Sequence, residues 1–135
     1  MKQKCYKTVE NDRENNGGAR MKKSIRVDVY KKHDGRCAYC GKKIEIKEMQ
    51  VDHQIPKAHI RPENKAYVNS IDNLFPSCRR CNHYKRSMDL ETFREYIKTL
   101  HDRVEKDYIA KVAIDYGIVT IKPFEGKFYF EEEQE

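Results

Sequence analysis

Two cysteine pairs, Cys37-Ala-Tyr-Cys40 and Cys78-Arg-Arg-Cys81, bracket an Asp52-His53 pair in the stretch VDHQIP. Two residues between cysteines let a tight turn aim both sulfurs at one ion, and two such pairs complete a tetrahedron, the donor set of structural zinc. Gly41 supplies the permissive backbone that such a turn needs. Four protein ligands leave no open position, so chemistry requires a second centre. Its candidates are Asp52, His53, Asn73 and Asn82. Carboxylate and amide oxygens suit a hard divalent cation such as magnesium, and a neutral imidazole can take a proton from water near neutral pH. Together they supply what phosphodiester hydrolysis requires: charge stabilisation on the phosphate and a base for the nucleophile. Singly, each has an ordinary structural reading: an acceptor in a turn, a surface histidine, a capping asparagine.

The elements that must hold these residues are short. Ile25, Val27, Val29 and Tyr30 predict a helix from Ser24 to His33, capped by Ser24 and ended by Gly35. A turn follows at Cys37–Gly41, then alternation in KIEIK and a strand over Met49–His53. Neighbours on a regular strand point to opposite faces, so Asp52 and His53 share a site only if the strand twists or ends there, as Pro56 allows. The polar segment from Lys57 to Asn69 reads as loop, NLFPSC as a short strand, and RRCNHYKRS as one to two helical turns with Cys81 in the first. A knuckle plus a pair at a helix start is a treble-clef arrangement. Next comes a longer helix, capped by Asp89, whose Leu90, Phe93, Ile97, Leu100 and Val104 share a face. DYIAKVAIDYG is a further helix closed by Gly117, and IVTIK and KFYFE flank PFEG as a hairpin. The expected domains are a flexible arm over 1–20 (with a lone Cys5), a zinc-stapled core over 21–88, and an extension over 89–135 with an acidic tail.

At 135 residues, with 38% hydrophobic against 37% charged and no Trp, any core is thin, and a metal staple would help it. No stretch is long and apolar enough to span a bilayer, and the first residues lack the apolar core of a signal peptide. The expected compartment is the cytoplasm, where cysteines serve as metal ligands or free thiols. The formal net charge is +6, and setting aside Glu131, Glu132, Glu133 and Glu135 leaves 28 basic against 18 acidic residues. That balance points to an anionic partner, nucleic acid first. Arg79, Arg80, Lys85 and Arg86 surround Asn82 in an acid-free stretch that could lie along a phosphate backbone. His59 and His83 read as solvated surface.

Taken together, CAYCG, VDHQIP and DNLFPSCRRCNHYK resemble the HNH (His-Asn-His) endonuclease family in its four-cysteine zinc-containing branch, over about Arg36 to Arg86. The resemblance implies an α+β fold: a small treble-clef-like ββα-metal core with a structural zinc, followed here by the C-terminal helices and hairpin. It implies hydrolysis of DNA to 5′-phosphate and 3′-hydroxyl ends with magnesium or manganese. His53 would be the general base and Asp52 a metal ligand, Asn73 would orient the loop that carries the base, and Asn82 would complete the metal site. Small nucleases of this kind often come from phages or mobile elements. The sequence departs from many relatives in having no glycine between the base and Asn73. The rival reading is a non-catalytic zinc-binding treble-clef module that binds nucleic acid.

Overall fold

The computed structural model describes residues 21–133. It contains two compact units: residues 21–89 together with 128–133, and Leu90–Lys127. The predicted arm, with Cys5, lies outside the described residues.

The first unit opens with helix α1, Lys23–Lys31. Its N-cap is Lys22 rather than Ser24, with no side-chain cap bond. The chain then reverses through Asp34 and Gly35, both at positive φ. A Cβ at Gly35 would stand 2.7 Å from the Tyr30 hydroxyl, which itself donates to the Ile44 carbonyl. Glycine at that turn is therefore required on two counts.

Strands β1, Gln50–His53, and β2, Leu74–Ser77, form one antiparallel pair in which Asp52 faces Phe75 and His53 faces Leu74. Pro76 is tolerated because a two-stranded sheet has only edges; its carbonyl takes the Ala38 amide at 2.8 Å. No strand forms at KIEIK, where a single bridge joins Arg36 to Lys43. The amides of Glu48 and Met49 bond back to Glu45, so this segment closes a turn before alternation can find a partner. Between the strands, the predicted loop is a run of short turns, with a 3-10 turn at Lys57–His59, helix α2 at Lys65–Val68 and a 3-10 turn at Ile71–Asn73. Helix α3, Arg79–Lys85, follows β2 directly. The two strands and α3 give the ββα order.

Val29, Met49 and Leu74 form one buried cluster, with Ile25, Ile44 and Val51 against it. A second cluster is aromatic: Phe75 and Phe130 lie 4.9 Å apart, and Tyr39 meets Phe128 edge-on at 5.4 Å. Half of that cluster arrives from the C-terminus. KFYFE is not the second strand of a hairpin; it enters helix α7, Tyr129–Glu132. The amides of Tyr129 and Phe130 bond to the carbonyls of Tyr39 and Ala38, and Glu133 meets His33 Nδ1 at 2.6 Å. The alternation of Phe128 and Phe130 is real, but it buries both rings in the first unit, and residues 118–127 form no strand.

The second unit holds α4, Leu90–Lys98, α5, Leu100–Lys106, and α6, Tyr108–Asp115. The single helix expected from Leu90 to Val104 is broken at Thr99. The Thr99 hydroxyl bonds back to the Glu95 carbonyl, and the Arg103 guanidinium donates to the same hydroxyl. Asp107 caps α6 by accepting from the Ile109 amide. Gly117, at φ +69, ends it with paired bonds from Gly117 to Ile114 and from Ile118 to Ala113. Among the described residues no helix is long and apolar enough to cross a membrane.

Candidate functional site

The four cysteines converge. Cys37 and Cys40 lie on the turn before Gly41, Cys78 is the N-cap of α3, and Cys81 is in its first turn. All four sulfurs lie within 4.8 Å of one another, and Cys40 and Cys78 are 3.9 Å apart. A zinc tetrahedron has sulfur–sulfur edges of about 3.8 Å, so the set needs little movement to close on an ion. Hydrogen bonds from Cys37 and Cys81 hold the Cys40 thiol down at about 3, while those with Cys37 and Cys40 push Cys81 up. Four sulfurs this close cannot all ionise without a cation among them, and a divalent metal is the chemical fit.

Tyr39, between the first two cysteines, reaches out of the knuckle and donates its hydroxyl to Asp52 Oδ2. Lys85 approaches the same oxygen at 3.0 Å and donates to the His53 carbonyl at 3.2 Å. Asp52 and Lys85 are both buried. Burial and the neighbouring Asp52 charge drive the Tyr39 pKa well above its ordinary value, so the phenol stays a donor. Lys85 thus departs from expectation: with its ammonium held inside by Asp52, it cannot lie along a phosphate backbone. Nothing in the local pattern marks Tyr39 beyond its place between two cysteines.

His53 ends β1 and is half-buried. Burial lowers its pKa, Lys57 and Lys85 lower it further, and Asp52 opposes them. His53 and Asp52 line one open cleft of about 260 Å³ with Pro56, Lys57, Arg86 and Ser87. Strand alternation thus does not keep the pair apart, because the strand stops at His53. Arg86, at the C-cap of α3, is an exposed non-glycine residue at φ 53, a strained conformation held beside this cleft.

Asn73 is fully buried beneath the loop that follows His53. Its Oδ1 accepts from the Ile55 amide at 2.8 Å, and its Nδ2 donates to the carbonyls of Ile55 and Val68. Its own carbonyl takes the Gln54 amide at 2.9 Å. With its side-chain amide committed to the backbone, Asn73 is an organiser of that loop.

Asn82 does not line the His53 cleft. It opens on a groove of about 980 Å³ whose walls carry Lys42, Lys43, Lys47, Arg79 and Arg80. His83 lines this groove too, and His59, exposed at the end of the 3-10 turn, lines neither opening. The three lysines, on the chain following the knuckle, are cations that the α3 sequence alone could not point to.

Residues 37–87 match the HNH endonuclease family. This segment is an HNH endonuclease domain with a four-cysteine cluster. The chain is similar to the CRISPR-associated endonuclease Cas9 of Corynebacterium diphtheriae, at 31% identity over 68 residues, which is 47% of this chain and 6% of that protein. It is also similar to the crystal structure of the Type II-C Cas9 enzyme from Actinomyces naeslundii, at 26% identity and a TM-score of 0.43, covering 60% of this chain and 9% of that one. The chain therefore spans less than a tenth of either relative. Within the HNH domain, both cysteine pairs, the Asp52-His53 pair, Asn73 and Asn82 all fall inside the matched residues.

Proposed function

We propose that the HNH domain hydrolyses phosphodiester bonds of DNA, with His53 as general base and a magnesium or manganese ion held by Asp52 and Asn82. The observation that carries this reading is the placement of the His53 imidazole: it lines a cleft with Lys57 and Arg86, and burial and Lys57 lower its pKa. A neutral ring accepts a proton from water, and Lys57 and Arg86 offer charge to the phosphate being attacked. Asn73 fixes the backbone just beyond the base, and Lys85 holds the base's own carbonyl. Among the described residues both donors to Asp52 converge on Oδ2, which leaves Oδ1 for a hard cation. Such a cation, when bound, supplies charge stabilisation at the scissile phosphate and the leaving oxygen. The four-cysteine site would hold a structural zinc, and Arg79 and Arg80 would carry the backbone of the nucleic acid along the larger groove.

One observation favours the binding-module alternative: Asn82 faces the basic groove and not the His53 cleft. Plasmid nicking in magnesium or manganese decides between them. His53→Ala should abolish nicking, a loss of about 10²–10⁴-fold, with DNA binding and zinc content retained. Asp52→Ala or Asn82→Ala should raise the half-saturating metal concentration as well as lower the rate. Wild-type protein that binds DNA and never nicks it would leave the non-catalytic module as the function.

A further inference from the structure

Helix α6 has the sequence YIAKVAID and no buried residue. Of the ten large hydrophobic side chains exposed among the described residues, eight lie between Val104 and Val119. Tyr108 is 82% exposed, Tyr116 80%, Ile109 79% and Ile118 75%. Scattered exposed apolar residues need no explanation, but a contiguous set on one short stretch does. The helix already has an inner side: Ala110 and Ala113, three apart, are its half-buried positions, and α6 packs beside α5. Tyr108, Val112 and Tyr116 recur every four residues and so form a stripe on the outer side.

We infer that this stripe is a dimer interface, occupied by α6 of a second copy of the chain running antiparallel about a two-fold axis near Val112. Three features select that occupant. The stripe is symmetric about its middle, so an antiparallel partner sets Tyr108 against Tyr116 twice and Val112 against itself, as an isologous interface requires. The same edge of the stripe carries one base and one acid, Lys111 and Asp115, both exposed. A two-fold antiparallel pairing brings like edges together in reverse order, so Lys111 of each copy meets Asp115 of the other. A parallel pairing would set this edge against the opposite one, which carries Ile109, and would leave Lys111 and Asp115 without partners across the seam. Asp107 does not disturb this, because its carboxylate is engaged in capping α6. Finally, Tyr108, Ile109, Val112 and Tyr116 present on the order of 500 Å² of surface per copy, the larger part of the roughly 800 Å² per partner of a stable interface, to which the polar edges add.

Sedimentation velocity on the full chain across the micromolar range tests this. The wild type should be a dimer that dissociates on dilution. Val112→Arg, which brings two cations face to face at the axis, should be a monomer with unchanged melting. Lys111→Asp should weaken the dimer by roughly tenfold or more, and Lys111→Asp with Asp115→Lys should restore it. A wild-type monomer throughout that range overturns the inference, as does a dimer indifferent to Val112→Arg. A charge swap that fails to restore association overturns the antiparallel pairing.

Discussion

The Tyr39 hydroxyl donates to Asp52 from a position flanked by two of the four clustered cysteines. One side chain therefore spans from the four-cysteine knuckle to the carboxylate beside His53. Zinc would act on the proposed catalytic site through this link: by fixing the backbone on either side of Tyr39, it would fix where the phenol, and so Asp52, can stand.

Tyr39→Phe keeps the ring in the aromatic cluster and removes only the donor. A buried hydrogen bond to a charged group contributes about 1.5–3 kcal/mol, so urea denaturation should show a loss of about that size. The magnesium needed for half-maximal nicking should rise, because Asp52 is then held by Lys85 alone.

Lys85→Met leaves the Asp52 carboxylate buried without its cation. Breaking a buried pair from one side costs about 3–5 kcal/mol. The double variant Lys85→Met with Asp52→Asn should recover much of that stability in the same denaturation experiment, since no lone charge then remains.

The pH profile of nicking should rise from low pH and then level off. The imidazole of His53 is held below its ordinary value of 6.5, so the midpoint should fall below that value. The direction for stability is the same: a folded-state pKa lowered by burial makes protonation disfavour the fold. The contribution of His53 is complete above the unfolded value and is lost as pH falls through the folded one. Lys57→Ala removes one of the depressing charges and should move the midpoint of activity upward.

Removing the metal should unfold the first unit. Elemental analysis should find one zinc per chain, and chelation or Cys78→Ser should abolish the cooperative melt of a domain whose clusters are this small.

Binding to DNA should weaken steeply with salt, the mark of phosphate contacts. Arg79→Ala with Arg80→Ala, or Lys42→Ala with Lys43→Ala, should lower affinity and reduce the salt slope by about one to two. Lys85→Ala, by contrast, should leave the slope unchanged, because its ammonium faces Asp52 and not solvent.

Much of the first unit was legible because its signals are local. Cysteine spacing, an N-cap position at Cys78 and the short apolar run entering β2 depend on neighbours a few residues away. What was hidden depends on distant partners. Lys85 sits in a run of bases that reads as surface, and only the buried Asp52, 33 positions earlier in the chain, turns it inward. Alternation at KFYFE is equally compatible with a hairpin and with rings entering a cluster, and the second outcome needs Tyr39 and Phe75 to be known as neighbours. The break at Thr99 arises from a hydroxyl turned back on its own helix, against an apolar period that runs straight through it.

Phe128 and Phe130 complete a cluster whose other members, Tyr39 and Phe75, leave the ribosome far earlier. Synthesis proceeds at roughly 5–20 residues per second, so several seconds separate Phe75 from Phe130. Throughout that interval the nascent knuckle lacks the two rings that pack edge-on against Tyr39. The first unit thus completes its aromatic cluster only when this final strap has been translated, and a truncated chain ending within the second unit would lack it.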